Sequence, residues 1–131
     1  MMTKNEHKNY WIKSSEEDWN TMSALFKSGR FVHALFFAHL SLEKLCKAIW
    51  VQDNEENFPP KVHNLLKLLS GTTIKLKDEE LKFLNEFNDF QLEGRYPDYL
   101  FEINKLCTKE YTEVILEKVK LIKTCFQEKL Q

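Results

Sequence analysis

Glycine, proline and cysteine are scarce in this chain, with three of each among 131 residues. β-Sandwiches and barrels need many turns rich in glycine and proline, so this scarcity argues against a β fold and favours helices. Cys46, Cys107 and Cys125 are odd in number and isolated within apolar helical patterns. We therefore expect reduced core thiols, with no disulfide framework and no zinc site.

Several functional motifs are also missing. No HExxH, CxxC or clustered-carboxylate pattern occurs, and no glycine-rich loop, so we expect no metal and no cofactor. The net charge is −1 and the pI is near 6.4, which excludes the basic field of a generic DNA-coating protein. The amino terminus lacks a signal-peptide core, and no apolar run is long enough to cross a bilayer. These features predict a soluble, cytoplasmic protein.

One strongly apolar stretch, from Phe31 to Trp50, has a helical pattern. Its apolar residues recur in steps of three and four, which defines one buried stripe: Phe31, Leu35, Ala38, Leu42, Leu45 and Ile49. Further apolar residues lie on its other sides: Phe36, Phe37 and Leu40. Small residues repeat every seven positions and would let a neighbouring helix approach closely: Ala34, Ser41 and Ala48. We predict a central helix whose second apolar face forms a self-association surface.

The whole pattern predicts an all-α fold in a single domain, residues 1–131. The expected architecture is an up-and-down bundle of four main helices with additional short helices. The helices are expected at about 14–27, 31–50, 61–69, 78–94 and 105–130.

Capping residues predict where the helices begin and end. Residues 1–13 are expected to be a loose polar lead, because Ser14 and Glu17 have the spacing of a capping box at the start of the first helix. Asp78 is expected to cap a later helix that ends near Gly94.

The central helix also carries a polar ridge of His39, Glu43 and Lys47, which are spaced by four residues. One interpretation is a solvated ridge with a Glu-to-Lys pair that contributes roughly 0.2–0.5 kcal/mol. The other is a functional groove in which these side chains bind a ligand.

Three fragments in this order resemble the HEPN family. They are FFAHLSLEKLCKAIW, with an EKxxKA core, then PPKVHNLLKLL, and the turn GRYPD before the last helix. The resemblance implies a helical bundle that commonly dimerises. Such bacterial proteins are often encoded beside a minimal nucleotidyltransferase as a toxin–antitoxin pair.

Many members of that family cut RNA without a metal, using an arginine and a histidine a few residues later. Here the resemblance points to Arg95, but the positions four to six residues beyond it are Tyr99, Leu100 and Phe101. Metal-independent cleavage needs a base, an acid and a cation for the developing charge. Arg95 can supply the cation through bidentate contact with phosphate.

Other residues are candidates for the remaining roles. His63 could meet Arg95 across a cleft, or it could simply cap a helix or bond to the preceding loop. Tyr99 is a second candidate partner for catalysis, and Tyr96 and Asp98 are candidate ligand contacts beside Arg95. The alternative for Arg95 itself is an ion pair with a carboxylate: Glu93, Asp98 or Glu43.

Three functions follow from these residues. The first is a homodimeric HEPN-like interaction module that binds nucleotide or RNA near the GRYPD turn with little or no catalysis. The second is a metal-independent ribonuclease that uses Arg95 with His63 or Tyr99. The third is a purely structural subunit of a larger complex.

Overall fold

The fold of the chain is entirely helical in a computed structural model that describes all 131 residues, and this confirms the all-α prediction. Six α-helices and one 3-10 turn at Asn88–Phe90 follow in order: α1 Lys4–Lys27, α2 Phe31–Asp53, α3 Leu65–Leu69, α4 Asp78–Phe87, α5 Pro97–Leu106 and α6 Lys109–Lys129. α1, α2 and α6 have 24, 23 and 21 residues, whereas α3, α4 and α5 have 5, 10 and 10. The up-and-down arrangement of four main helices stays a prediction. None of the helices combines the length and hydropathy that a membrane span requires.

α2 is the central helix, as predicted. Thirteen of its 23 residues are buried, and it contacts α1, α3, α5, α6 and the 3-10 turn. The close approach expected at the small residues occurs between α1 and α2, where the Ser15 hydroxyl donates to the Ser41 carbonyl at 2.7 Å. The Ser41 hydroxyl donates back to the Ser15 carbonyl at 3.0 Å. Neighbouring helices of the same chain cover α2 on several sides, whereas Phe36, Phe37 and Leu40 on its second apolar face stay partly exposed. Self-association through that face stays a prediction.

α1 begins at Lys4, so the expectation of a loose lead over residues 1–13 is wrong. Thr3 and Glu6 form the capping box: Glu6 N–H donates to Thr3 Oγ1, and Thr3 N–H donates to Glu6 Oε1, both at 3.1 Å. The ammonium group of Lys4 then donates to the Val51 and Asn54 carbonyls at the end of α2, at 2.9 and 2.6 Å. The pattern at Ser14 lies inside this longer helix.

Other helix ends also differ from the sequence expectations. Asp78 is the first residue of α4, and the preceding Lys77 is its N-cap. The helix ends at Phe87 and passes into the 3-10 turn, so it does not reach Gly94. Gly94 instead occupies a turn with φ of +75°, a conformation that glycine adopts without strain. This turn leads into α5, which has Pro97 in its first turn.

The three cysteines are free. Cys46 and Cys107 are buried, as predicted, whereas Cys125 is only partly buried. Burial raises the pKa of the Cys107 thiol to about 11. That thiol is therefore protonated at neutral pH.

Candidate functional site

Glu43 is a buried carboxylate at the centre of the candidate site, with 2% of its surface exposed. Its Oε2 atom lies 2.9 Å from His63 Nδ1 and 3.5 Å from Lys47 Nζ. Its Oε1 atom lies 3.5 Å from His39 Nδ1 and accepts a hydrogen bond from Gln91 Nε2 at 3.3 Å. We call these five residues the Glu43 cluster. The predicted ion pair with Lys47 is present, but the solvated-ridge interpretation is wrong because His39 and Glu43 are buried.

The cluster stabilises the ionised form of Glu43. Burial alone raises the pKa of this carboxyl, because a charge is disfavoured away from water. The nearby His39, His63 and Lys47 side chains oppose that effect, and the pKa is lowered overall. Glu43 is therefore a carboxylate at neutral pH.

Asn88 fixes the ring of His39 from the other side. Its Oδ1 atom accepts from the backbone N–H of Leu65 at 3.1 Å, which identifies this atom as the oxygen. His39 Nε2, at 3.0 Å from the same oxygen, must therefore be a donor. The Nδ2 atom of Asn88 is shielded from solvent and makes no hydrogen bond.

His63 connects the Glu43 cluster to the segment that carries Arg95. Its Nδ1 atom faces Glu43, and its Nε2 atom lies 3.0 Å from Glu93 Oε2. Both contacts can be N–H donations at once only in the imidazolium form. His63 does not cap α3: the Asn64 side chain does so, accepting from the Lys67 N–H at 3.1 Å.

Arg95 is exposed and makes no ion pair, so the expected pairing with Glu93, Asp98 or Glu43 is absent. Its Nε–H donates to the Gln91 carbonyl at 3.1 Å, and Nη2 donates to the Asn88 carbonyl at 3.5 Å. The guanidinium carbon also lies 4.4 Å from the centre of the Tyr99 ring. A guanidinium has five N–H groups, so three remain available to a ligand.

The ring of Tyr99 packs against the guanidinium group of Arg95. Its hydroxyl donates to the carbonyl of Asp89, and burial raises the pKa of this phenol, although the charge of Arg95 acts in the opposite direction. The phenolic proton is therefore engaged with the backbone. Tyr96 and Asp98 are both exposed, Tyr96 by 82%, and neither lines the cavity described next.

A cavity of about 390 Å³ brings Arg95 and His63 together, with no apolar residue in its lining. The full lining is His63, Asn64, Asn88, Gln91, Glu93, Gly94 and Arg95. We call it the polar cavity. His39, Glu43 and Lys47 do not line it. Of these three, Glu43 contacts the lining residues His63 and Gln91 directly, whereas Lys47 contacts Glu43 and His39 contacts Glu43 and Asn88. No group of three or more His, Cys, Asp or Glu side chains is arranged to hold a metal ion.

Sequence reasoning missed Asn88 and Gln91 as site residues and named Glu93 only as a possible ion-pair partner of Arg95. The available signal was a run of polar side chains among apolar ones, NDFQLE, just after the pattern of α4 ends. Asn88 and Gln91 are three residues apart and so share one side of a helical turn. Their partners lie 20 or more residues away in sequence, at His39, Glu43 and Leu65.

The Gln91 amide already donates to Glu43, and the Asn88 amide nitrogen is shielded from solvent. The cavity therefore offers a ligand one cation, one histidine and the amide of Asn64, beside the carboxylate of Glu93. Such a set can bind a phosphate group through charge-assisted hydrogen bonds. It also contains the residue types for proton transfer, although both nitrogens of His63 already face carboxylates.

A family model described as HEPN domain matches residues 9–130. Comparison with curated proteins and with solved structures gives no match. The family match spans nearly the whole chain and includes every residue of the Glu43 cluster and the polar cavity.

Proposed function

Because the chain belongs to the HEPN family, whose members are often involved in RNA binding or nuclease activity, we propose that it binds the phosphate of a nucleotide or RNA in the polar cavity. Binding, with little or no catalysis, is the function proposed first. The protein then acts as a cytoplasmic interaction module.

The placement of Arg95 is the observation that carries this proposal. Two backbone carbonyls and the Tyr99 ring hold the guanidinium, and no carboxylate neutralises it. A surface arginine without a function would be free to pair with a nearby acid, and Glu93 is only two residues away. Glu93 contacts His63 instead, which leaves the charge of Arg95 for an anion.

Binding of AMP and of a short single-stranded RNA, measured by calorimetry, tests the proposal. We expect Arg95→Ala to weaken binding by about tenfold or more, since a charge-assisted bidentate contact is lost. Arg95→Lys should restore only part of the affinity, because an ammonium lacks the planar fork. Arg30→Ala is the matched control: Arg30 is the other arginine and is exposed in the turn before α2.

Equal affinities for wild type, Arg95→Ala and Arg30→Ala would reject the site. Thermal unfolding of each variant shows whether the fold is intact. A purely structural subunit, which is the third function considered, would show no nucleotide-dependent rise in melting temperature.

Ribonuclease activity is the second candidate function, favoured because His63 shares the polar cavity with Arg95. In this scheme His63 exchanges a proton with the 2′-hydroxyl or the leaving oxygen, and Arg95 stabilises the developing negative charge. One contact of His63 must open first. The contact with Glu93 can open more readily, because the side chain of Glu93 is 61% exposed whereas that of Glu43 is 3% exposed. Tyr99 would then hold Arg95 in position.

Cleavage assays in excess chelator test this second function on structured and single-stranded RNA. If it is correct, wild type cleaves, and Arg95→Ala and His63→Ala both lose activity, whereas Arg30→Ala retains it. No cleavage by any of these proteins would leave binding as the function. Cleavage by all of them would identify a contaminating nuclease.

We also propose a homodimer and, as the family resemblance implies, a nucleotidyltransferase partner in a toxin–antitoxin system. Support for the homodimer comes from large apolar side chains left open at the carboxyl-terminal end. Leu106, Val114 and Leu121 are exposed by 51%, 57% and 74%. Co-purification with a nucleotidyltransferase encoded beside the gene tests the second partner.

A further inference from the structure

An apolar groove adjoins the polar cavity at Glu93, which lines both. The groove lies between α2 and α5 and has a volume of about 640 Å³. Its apolar lining comprises Val32, Phe36, Leu92, Pro97, Leu100 and Phe101. Phe101 is 62% exposed. The Lys105 ammonium lies over one face of its ring, 4.3 Å from the ring centre, so at most the other face is available to a ligand.

The groove also contains polar groups. His33 and Asn104 line it and offer an imidazole and an amide. Small-molecule sites typically combine apolar and aromatic walls with a few polar groups that fix the orientation of the ligand, in volumes of about 300–1,000 Å³. The groove has this composition and size.

Glu93 lies at the junction of the apolar groove and the polar cavity. Its Oε2 atom faces His63 at 3.0 Å, whereas its Oε1 atom makes no hydrogen bond or ion pair within the chain. A carboxylate oxygen of this kind accepts hydrogen bonds from hydroxyl groups.

We propose that the groove binds the base of a nucleoside 5′-monophosphate unit whose phosphate lies against Arg95 and whose ribose donates a hydroxyl to Glu93. The chemistry of the protein changes along this path from cationic to carboxylate to apolar and aromatic. Phosphate, ribose and base follow one another in the same order. This inference rests on the phosphate site proposed above, and it adds the surface that distinguishes a nucleotide from any other phosphate ester.

Calorimetric binding of AMP and of ribose 5-phosphate tests the base site, because the two probes differ only by the base. We expect wild type to bind AMP about tenfold more tightly, in line with the stacking of one base on an aromatic side chain. Phe101→Ala should remove that advantage and leave the affinity for ribose 5-phosphate unchanged. Phe58→Ala is the matched control, since Phe58 is a 75% exposed phenylalanine in the loop between α2 and α3 and does not line the groove.

The possible results distinguish failure of the base site from failure of the phosphate site at Arg95. If wild type binds both probes equally and Arg95→Ala weakens both, the phosphate site stands and the base site is wrong. If Arg95→Ala weakens neither probe, the phosphate site itself fails. If Phe101→Ala instead turns a dimer into a monomer with equal affinity for both probes, a second copy of the chain covers the groove and the inference is overturned.

A 5′-phosphorylated tetra-adenylate identifies the source of the nucleotide unit. Tighter binding of the oligonucleotide than of AMP, with the same loss in Phe101→Ala, supports recognition of an RNA end. Equal or weaker binding with that loss supports a free nucleotide. Binding of the oligonucleotide that Phe101→Ala does not change would contradict the base site.

Discussion

At the scale of single residues, Glu43 is the side chain on which the arrangement of the site depends most. We expect Glu43→Gln to destabilise the fold by about 3 kcal/mol, because the charged partner of a buried cluster is lost while His39, His63 and Lys47 remain. Denaturant unfolding measures this change. Glu128→Gln is the control, since Glu128 is exposed near the end of α6 and makes no ion pair.

The same carboxylate predicts a pH dependence. Its folded-state pKa lies below the usual value of 4.5, so the folded protein binds fewer protons there than the unfolded chain does. The stabilisation is therefore fully present above pH 4.5 and is lost as the pH falls through the lower, folded-state pKa. His39, Lys47, His63 and Gln91 are the groups that face Glu43 and take part in this coupling.

Unfolding of wild type and Glu43→Gln across roughly pH 3 to 6 tests the sign. The stability difference between the two proteins should shrink as the pH falls below about 4.5. A difference that stays constant or grows towards acid pH would contradict an ionised Glu43 in the folded state.

At the scale of helices, the sequence predicts the interior of an element better than its ends. The buried stripe of α2 was correct because apolar periodicity reports burial directly. The predicted start of α1 at Ser14 was wrong. Two capping-box patterns occur in the sequence, at Thr3–Glu6 and at Ser14–Glu17, and the local pattern does not indicate which of them begins the helix. Contacts with distant parts of the chain stabilise the earlier start. The Lys4 ammonium donates to carbonyls at the end of α2, and the Lys8 ammonium donates to the Gln131 carbonyl at 2.6 Å.

Lys4 supplies the prediction that belongs to this scale. Its ammonium group donates to three carbonyls, those of Val51, Asn54 and Glu56, and places a positive charge at the carboxyl end of α2. We expect Lys4→Met to lower the free energy of unfolding by about 2 kcal/mol, as for a hydrogen bond to a charged group. Lys13→Met, an exposed position on the same helix, should change it little.

Thermal and denaturant unfolding of both variants check this expectation. Equal stability of Lys4→Met and Lys13→Met would contradict the prediction, because it would mean that the hydrogen bonds of the Lys4 ammonium contribute nothing to the stability of the fold.

At the scale of the whole molecule, the candidate site was predictable only in part. Arg95 and His63 could be named from their residue types and from the family fragments, and both line the polar cavity. The joining of His63 to Glu43 and Glu93 could not be predicted, because it brings together α2, the loop before α3 and the segment before α5. Periodicity describes one helix at a time and carries no information about which polar faces meet.

The surface that remains open predicts the oligomeric state. The second apolar face of α2 is only partly exposed at Phe36, Phe37 and Leu40, so it offers less open apolar surface than α6 does. Exposed apolar side chains occur on α6 at Val114 and Leu121. These two residues are seven positions apart, so they lie on the same face of the helix.

We expect the protein to be a dimer at micromolar concentration by light scattering, with the α6 face of Val114 and Leu121 at the interface. Leu121→Lys should give a monomer, because a charge would be buried without a partner when two copies meet. Lys120→Met, a change at the neighbouring exposed position, is the control and should remain dimeric. A wild-type monomer would remove the homodimer from the proposed function, and a dimer unaffected by Leu121→Lys would place the interface on another face.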